Sequence, residues 1–400
     1  SLLGPLPGWS KNARASCEIT LIDRNDYQIY TPTLYDIATI PKKYAESIAL
    51  KHIATLPIEK ALSGTNVRFV QDEVLSINET SQFVHLRDNE PIPFDYLVVA
   101  MGSEINYFNI PGLDELSIPL KSFKDALRIR DRLTTVFKEH TDPNIVIGGG
   151  GSTGIELAGE LKNAILKGHW RKLLKGKESI ILVEGTAFLL PGFHPKVVKL
   201  ATNHLEKLGV NILTAKRIAS VSKNIITFHD GSTIPFHVLI WTGGVKPSKL
   251  TRELNLRTET SGHISTNPDL TCAAAGPLLH ITETIYAIGD IVCFRDPKSG
   301  KPLPGVVRHA MSEADVVAFN ITEEIRQGKI RKAYRPHEWP YLIPVGGKWV
   351  IAKVGPIIFA GFGAWILKML VELNYLISVL PLPLALKQWF KGLLILTKND

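Results

Sequence analysis

The sharpest chemical signal in the 400-residue sequence is a run of glycines. From Asn144 it reads NIVIGGGGSTGIELAGE, with Gly149, Gly151 and Gly154 at GxGxxG spacing. A β-branched run enters the turn, and Ile155, Leu157, Ala158 and Leu161 leave it at helical period. Gly149 permits the tight turn, Gly151 lets a pyrophosphate approach the backbone, and Gly154 lets helix pack on strand. Ser152 and Thr153 then open a helix whose N-terminal amides face the phosphates. A second strand, Ser179–Glu184 (SIILVE), follows and ends in an acid. A carboxylate there accepts from a ribose 2′-hydroxyl and repels a 2′-phosphate, which favours NAD(H) over NADP(H). A merely structural glycine turn would not need that acid.

The elements around this site suggest a second unit of the same kind. Cys17–Asp23 (CEITLID) is again a strand ending in an acid. Its own glycine fingerprint is expected upstream, and Ser1–Ser16 does not supply it, so the opening reads as the interior of a longer protein with its first strand missing. Phe94–Gly102 (FDYLVVAMG) and Thr284–Asp290 (TIYAIGD) are buried-type strands running into glycine turns. An acid in the second turn can bond a ribityl hydroxyl. The expected organisation is α/β, with two Rossmann-like dinucleotide-binding domains related by internal duplication. Residues 1–119 and 266–330 form one, residues 120–265 are inserted as the other, and residues 331–400 form a helical, hydrophobic membrane-associating region.

Composition narrows the classes. Hydrophobic residues make up 45% and charged residues 21%, which excludes a disordered chain. The three cysteines, Cys17, Cys272 and Cys293, form no CxxC pair, so a disulfide scaffold, dithiol chemistry and a cysteine zinc site are not expected. The twelve histidines show no HExxH or HxH spacing, and no metal site is expected. The net charge of +8 calls for an anionic partner. The basic run Lys167–Lys177 contains one aromatic and reads as a solvated or lipid-facing surface rather than a nucleic-acid site. From Tyr341 onward there are six lysines and two acids amid dense Ile, Leu, Phe and Trp, with uncharged runs of 14 residues, Val354–Leu367 and Leu373–Leu386. These are shorter than the ~20 residues of a membrane-spanning helix. The expectation is a helix lying in the interface, with Trp365, Tyr375 and Trp389 at headgroup level and Lys387, Lys391 and Lys398 on anionic lipid.

With these motifs in place, the chain resembles the flavoprotein reductases with two dinucleotide domains. Within them it is most similar to type II NADH dehydrogenases, the non-proton-pumping NADH:quinone oxidoreductases. The resemblance covers nearly the whole chain. Its most specific parts are IDRNDYQIYTPTLY from Ile22, PLKSFKDALRIR from Pro119, WTGGVKP from Trp241 and GFGAW from Gly361. It implies FAD and NADH as cofactors, a quinone acceptor and a membrane-associated homodimer, peripheral on the cytoplasmic face. By position it implies that Asp23 holds the FAD adenosine ribose and Val74 the adenine through its backbone. Ala100 and Gly102 form the adenosine-side turn, and Asp290 holds the ribityl-phosphate part. The helix opening at His309 and Ala310 points at the flavin N1–O2 edge. For NADH the implied set is Gly149, Gly151, Ser152, Thr153, Gly154, Glu184 and the Gly243–Gly244 turn, with Glu156 near the nicotinamide. Arg308 and Ser312 stand where the family carries two glutamines at the quinone site, so Glu156, Arg308 and Ser312 are the candidate catalytic residues. A reductase of a soluble acceptor, or an apoptosis-inducing-factor-like NADH-binding flavoprotein of low turnover, are the alternatives.

Overall fold

A computed structural model describes residues 17–42, 46–168, 170–273, 282–295, 300 and 307–397. The chain separates into two compact units. One comprises Ser1–Gln28, Pro57–Glu104 and Val245–Trp339; the other comprises Ile29–Leu56, Ile105–Gly244 and Pro340–Asp400.

The second unit is built on a five-stranded parallel sheet. Its spatial order is Ile118–Pro119, Val238–Trp241, Asn144–Gly148, Ser179–Val183 and Asn211–Leu213. Asn144–Gly148 therefore lies centrally, hydrogen-bonded on both edges, and its Ile145, Val146 and Ile147 are fully buried. Unbroken β-branched runs suit such a strand because both faces are covered. Three helices cover the sheet: Phe123–Glu139, Ser152–Leu166 and Pro195–Leu208. The first is started by a capping box between Ser122 and Asp125, and the last is stopped by Gly209 in the left-handed region (φ 86°). Trp170, fully buried, donates from Nε1 to the Thr39 carbonyl at 2.5 Å and meets Phe137 edge-on. This fixes the basic run, whose Arg171, Lys172, Lys175 and Lys177 are exposed.

Residues 340–400 belong to this same unit. An antiparallel sheet of Tyr341–Pro344, Val350–Val354 and Ile357–Gly361 leads into helices Phe362–Val379 and Leu382–Leu396. The first of these is 18 residues long and by length and composition could cross a membrane. The helix runs unbroken through Lys368 and Glu372, which are good helix formers and pair with each other at 2.6 Å on its inner face. Tyr375 and Trp389 also turn inward. Tyr375 stacks on Tyr30 with centroids 5.2 Å apart, and Trp389 Nε1 donates to the Met369 carbonyl at 2.9 Å. The Tyr375 ring and the Trp389 indole N–H thus meet partners within the fold.

In the first unit the parallel strands come as two pairs, Ile19–Asp23 with Val67–Gln71 and Leu97–Val99 with Ile285–Ala287. Val74–Asn78, Phe83–Leu86 and Ile92–Pro93 form an antiparallel sheet, and Val307–Ile325 is a 19-residue helix. The expected absence of a first strand and glycine turn concerns residues before Cys17, which lie outside the described residues.

Candidate active site

The glycine turn of the second unit is held from three sides. Gly149 (φ 110°) donates its N–H to the Val183 carbonyl at 2.8 Å, and a Cβ on it would come within 2.5 Å of Gly243 Cα. A Cβ on Gly154 would collide with the Gly149 carbonyl oxygen. Gly151, the residue just before the helix, faces open space instead. The turn is therefore packed where helix and strand need it and open where a phosphate would lie against the amides of Ser152 and Thr153. The Gly243 turn is tied alongside, since Thr242 N donates to the Gly148 carbonyl at 2.8 Å.

Glu184 stands at the end of its strand with both oxygens engaged. Oε2 accepts from Gly150 N–H and Oε1 from Thr186 N–H, each at 2.7 Å. Gly150 is a residue that the motif leaves unspecified, yet a Cβ there would press on Glu184 Cβ at 2.9 Å. Four consecutive glycines were the available signal for it.

Glu156 lies one turn into the same helix. It keeps a small accessible edge, but protein packs closely around its carboxyl. That burial, partly offset by the Lys368 ammonium, pushes its pKa up to about 8. For Lys368 burial acts downward, but Glu372, Asp36 and Glu156 outweigh it and the pKa rises. Lys368 and Glu372 line a recess with Tyr30, Tyr35, Asp36 and Gln388. Burial, reinforced by neighbouring acids, raises the pKa of both tyrosines, so they stay protonated donors. Spacing within the motif could not reveal this partner, which enters more than two hundred residues later.

In the first unit, Asp23 ends its strand with Oδ1 accepting from Asn25 N at 2.8 Å. Val74 opens the antiparallel sheet opposite Leu86, and Ala100 and Gly102 (φ 66°) follow the strand Leu97–Val99. Asp290 accepts from Ser103 Oγ at 2.8 Å. The preceding Gly289 abuts the first turn of the long helix, where a Cβ on it would touch Ala310 Cβ at 3.5 Å, and its N–H donates to Glu313 Oε2 at 2.7 Å. The structure thus brings Asp290, Ala310 and the helix start together. Ser103 and Glu313 are additions to the set; Glu313 lies one turn beyond His309, and burial raises its pKa.

On that helix His309 and Ser312 have their side chains committed within the fold. His309 Nδ1 is 2.9 Å from the Tyr334 hydroxyl, and burial lowers its pKa, leaving a neutral ring at pH 7. Ser312 Oγ donates back to the Arg308 and His309 carbonyls at 3.0 and 2.9 Å and meets Tyr334 as well. The Arg308 guanidinium lies 5.7 Å from the centre of the Trp339 ring, whose buried Nε1 has no hydrogen-bond partner in the structure. Glu156 and the Arg308–Ser312 segment belong to different compact units. Cys17, Cys272 and Cys293 form no disulfide among the described residues, burial raises the pKa of Cys272 and Cys293, and no metal cluster occurs among the described residues.

Residues 10–314 match the family model for pyridine nucleotide-disulphide oxidoreductases. The chain belongs to that family. Among curated members it is similar to the type II NADH:quinone oxidoreductase Ndh of Mycobacterium tuberculosis, at 28% identity over 94% of this chain and 82% of that protein. It is also similar to the type II NADH:quinone oxidoreductase of Staphylococcus aureus, at 29% over 76% of this chain and 75% of that one. Among solved structures, NDH2 from Plasmodium falciparum in complex with NADH superposes with TM-score 0.82 at 17% identity, covering 96% of this chain and 94% of that one. The sulfide:quinone oxidoreductase of Aquifex aeolicus superposes at 0.76, also at 17% identity, covering 92% and 87%. These likenesses show the fold: α/β with Rossmann-type dinucleotide domains.

Proposed function

We propose that the chain is an FAD-dependent NADH:quinone oxidoreductase. The observation that carries this is the pairing, within one unit, of a phosphate-ready glycine turn with a buried acid whose pKa sits near 8. Curated type II NADH:quinone oxidoreductases, similar over most of the chain, support it. NADH lies with its pyrophosphate over Gly151 and the amides of Ser152 and Thr153, its ribose near Glu184 and its nicotinamide end beside Gly243, Gly244 and Glu156. The first unit fits a flavin dinucleotide: an acid ends its strand, Gly102 leaves open space, and Asp290 sits against a helix start. Asp23, Val74, Ala100, Gly102, Asp290, His309 and Ala310 would hold it. When bound, FAD supplies hydride acceptance from NADH and two-electron delivery to the quinone. Positive charge at the helix start near Ala310 favours an electron-rich group placed there. Glu156 is protonated over much of the neutral range and holds a transferable proton. Arg308, poised over Trp339, is the donor available to a quinone carbonyl.

A membrane surface is the second partner. Phe362, Ile366, Leu370 and Ile377 on one tail helix, and Leu382, Leu386, Phe390 and Leu394 on the next, are all exposed. Their spacing near four residues makes one apolar stripe along each helix. With Lys368 and Glu372 turned inward, the first of these helices is apolar outside and charged inside, and the second sets an exposed Lys387 beside its apolar stripe, an arrangement suited to a lipid surface rather than to water. Peripheral attachment, a homodimer and the cytoplasmic face are parts of the same proposal. The test is steady-state NADH oxidation by the full chain with FAD, on phosphatidylcholine vesicles with and without a lipid-soluble quinone. Quinone-dependent turnover is expected; NADH oxidation that a soluble acceptor supports and quinone does not would favour the soluble-acceptor reductase.

A further inference from the structure

A recess opens beside Glu184, lined by Thr186, Lys216, Arg217, His229 and Asp230 together with apolar Phe228. Its walls are tied together by the backbone. Ala215 N donates to the Thr186 carbonyl at 2.7 Å, Lys216 N to the Glu184 carbonyl at 3.0 Å, and His229 N to the Arg217 carbonyl at 3.0 Å. The recess is therefore preformed.

Its charges are unevenly matched. Lys216 Nζ is held by Asp230 Oδ2 at 2.5 Å and by Ser232 Oγ at 2.8 Å. Arg217 is exposed and makes no ion pair among the described residues. Its Cγ lies 3.4 Å from where a Cβ on Gly185 would stand, so its stem crosses the residue that follows Glu184. The Glu184 carboxylate, in turn, is pinned by two amides and its charge is partly met by them. One acid is thus fixed at the strand end, and the stem of an exposed arginine with no ion pair among the described residues lies next to it. In this fold the acid at that strand end faces the adenosine ribose, and the fork of an arginine matches a phosphate bidentately.

We propose that Arg217 is a specificity-determining residue, an anchor for a phosphate on the adenosine 2′-hydroxyl. It works against Glu184, so that the donor site accepts NADPH as well as NADH. The preference between them is set by the balance of these two side chains. This rests on the reading of the glycine turn as the NADH site.

The test is calorimetric binding of adenosine 2′,5′-bisphosphate and of ADP to the full chain and to R217Q, R217K, E184Q and the E184Q/R217Q double variant. The unmodified chain should bind both nucleotides. R217Q should weaken the bisphosphate by about tenfold or more, the scale of a charge-assisted hydrogen bond, and ADP by less than about twofold. R217K should fall between, because it keeps the charge and loses the fork. E184Q should tighten the bisphosphate, and that gain should vanish in the double variant, the signature of coupled neighbours. Equal losses for both nucleotides in R217Q, or a gain in E184Q that survives without Arg217, would overturn this proposal alone. Failure of the unmodified chain to bind either nucleotide would overturn the donor-site reading and this proposal with it.

Discussion

Two strands with nearly the same character behave differently in this molecule. Asn144–Gly148 and Ile19–Asp23 are both short, β-branched and parallel. The first has a partner on each edge and buries Ile145, Val146 and Ile147 completely. The second is paired with Val67–Gln71 alone among the described strands and leaves Ile19 43% exposed. The same contrast runs through the acids that follow each unit's second strand. Both accept from an amide two residues on, Thr186 for Glu184 and Asn25 for Asp23, but Glu184 alone of the two is also held from a distant segment, by Gly150 of the glycine turn. A strand and its terminal acid are only as rigid as the partners the sheet supplies.

Hydrogen exchange gives the largest expected separation. Amides of Ile145, Val146 and Ile147 should be protected on the order of a thousandfold more than those of Thr20, Leu21 and Ile22, because the former open only with the unit as a whole. Equal protection would erase the comparison. Next come the glycines. Gly154→Ala drives a methyl into the Gly149 carbonyl and should cost about 3 kcal/mol along with ADP affinity. Gly102→Ala meets open space and should cost only the ~1 kcal/mol of a left-handed backbone. Denaturant melts of the two variants measure both.

Titration sharpens the comparison further. Glu156 binds its proton more tightly folded than unfolded, so its contribution to stability is full below the unfolded carboxylate pKa. It is lost as pH rises towards about 8. Stability should therefore fall between pH 5 and 8 by roughly 2–3 kcal/mol, and Glu156→Gln should flatten that slope. Glu313, raised by burial but eased by the Gly289 N–H, should give a shallower slope in the same direction. A Glu156→Gln protein with an unchanged pH profile would contradict the assignment. The smallest effect concerns the terminal acids. Glu184→Gln should destabilise by about 2 kcal/mol as its charge-assisted bonds weaken, while Asp23→Asn should stay within about 0.5 kcal/mol.

The sequence showed the strand–turn–helix of Gly149–Gly154, the strand ending at Glu184 and the two-unit α/β architecture, because each is a local pattern with a fixed period. It did not show what those residues touch. The amides that occupy Glu184 come from Gly150 and Thr186, and the ammonium that tempers Glu156 comes from the tail. The Ser312 hydroxyl, expected to be available for chemistry, bonds its own helix and Tyr334, a choice set by a loop folding back twenty-two residues later. Lys368 and Glu372 looked like interruptions of an apolar stretch. As a pair they meet each other on the inner face of one continuous helix. Positions were local information, and partners were tertiary.

The apolar stripes of the tail have a practical consequence. Phe362, Ile366, Leu370 and Ile377 look outward, while Lys368 and Glu372 pair with each other on the inner side of the same helix, where Asp36 and Glu156 act on the lysine. Attachment and folding are thus written on opposite faces of one rod. A resurfaced chain, with the outward row changed to glutamine and lysine, should leave its native vesicle and dissolve in plain buffer without melting earlier.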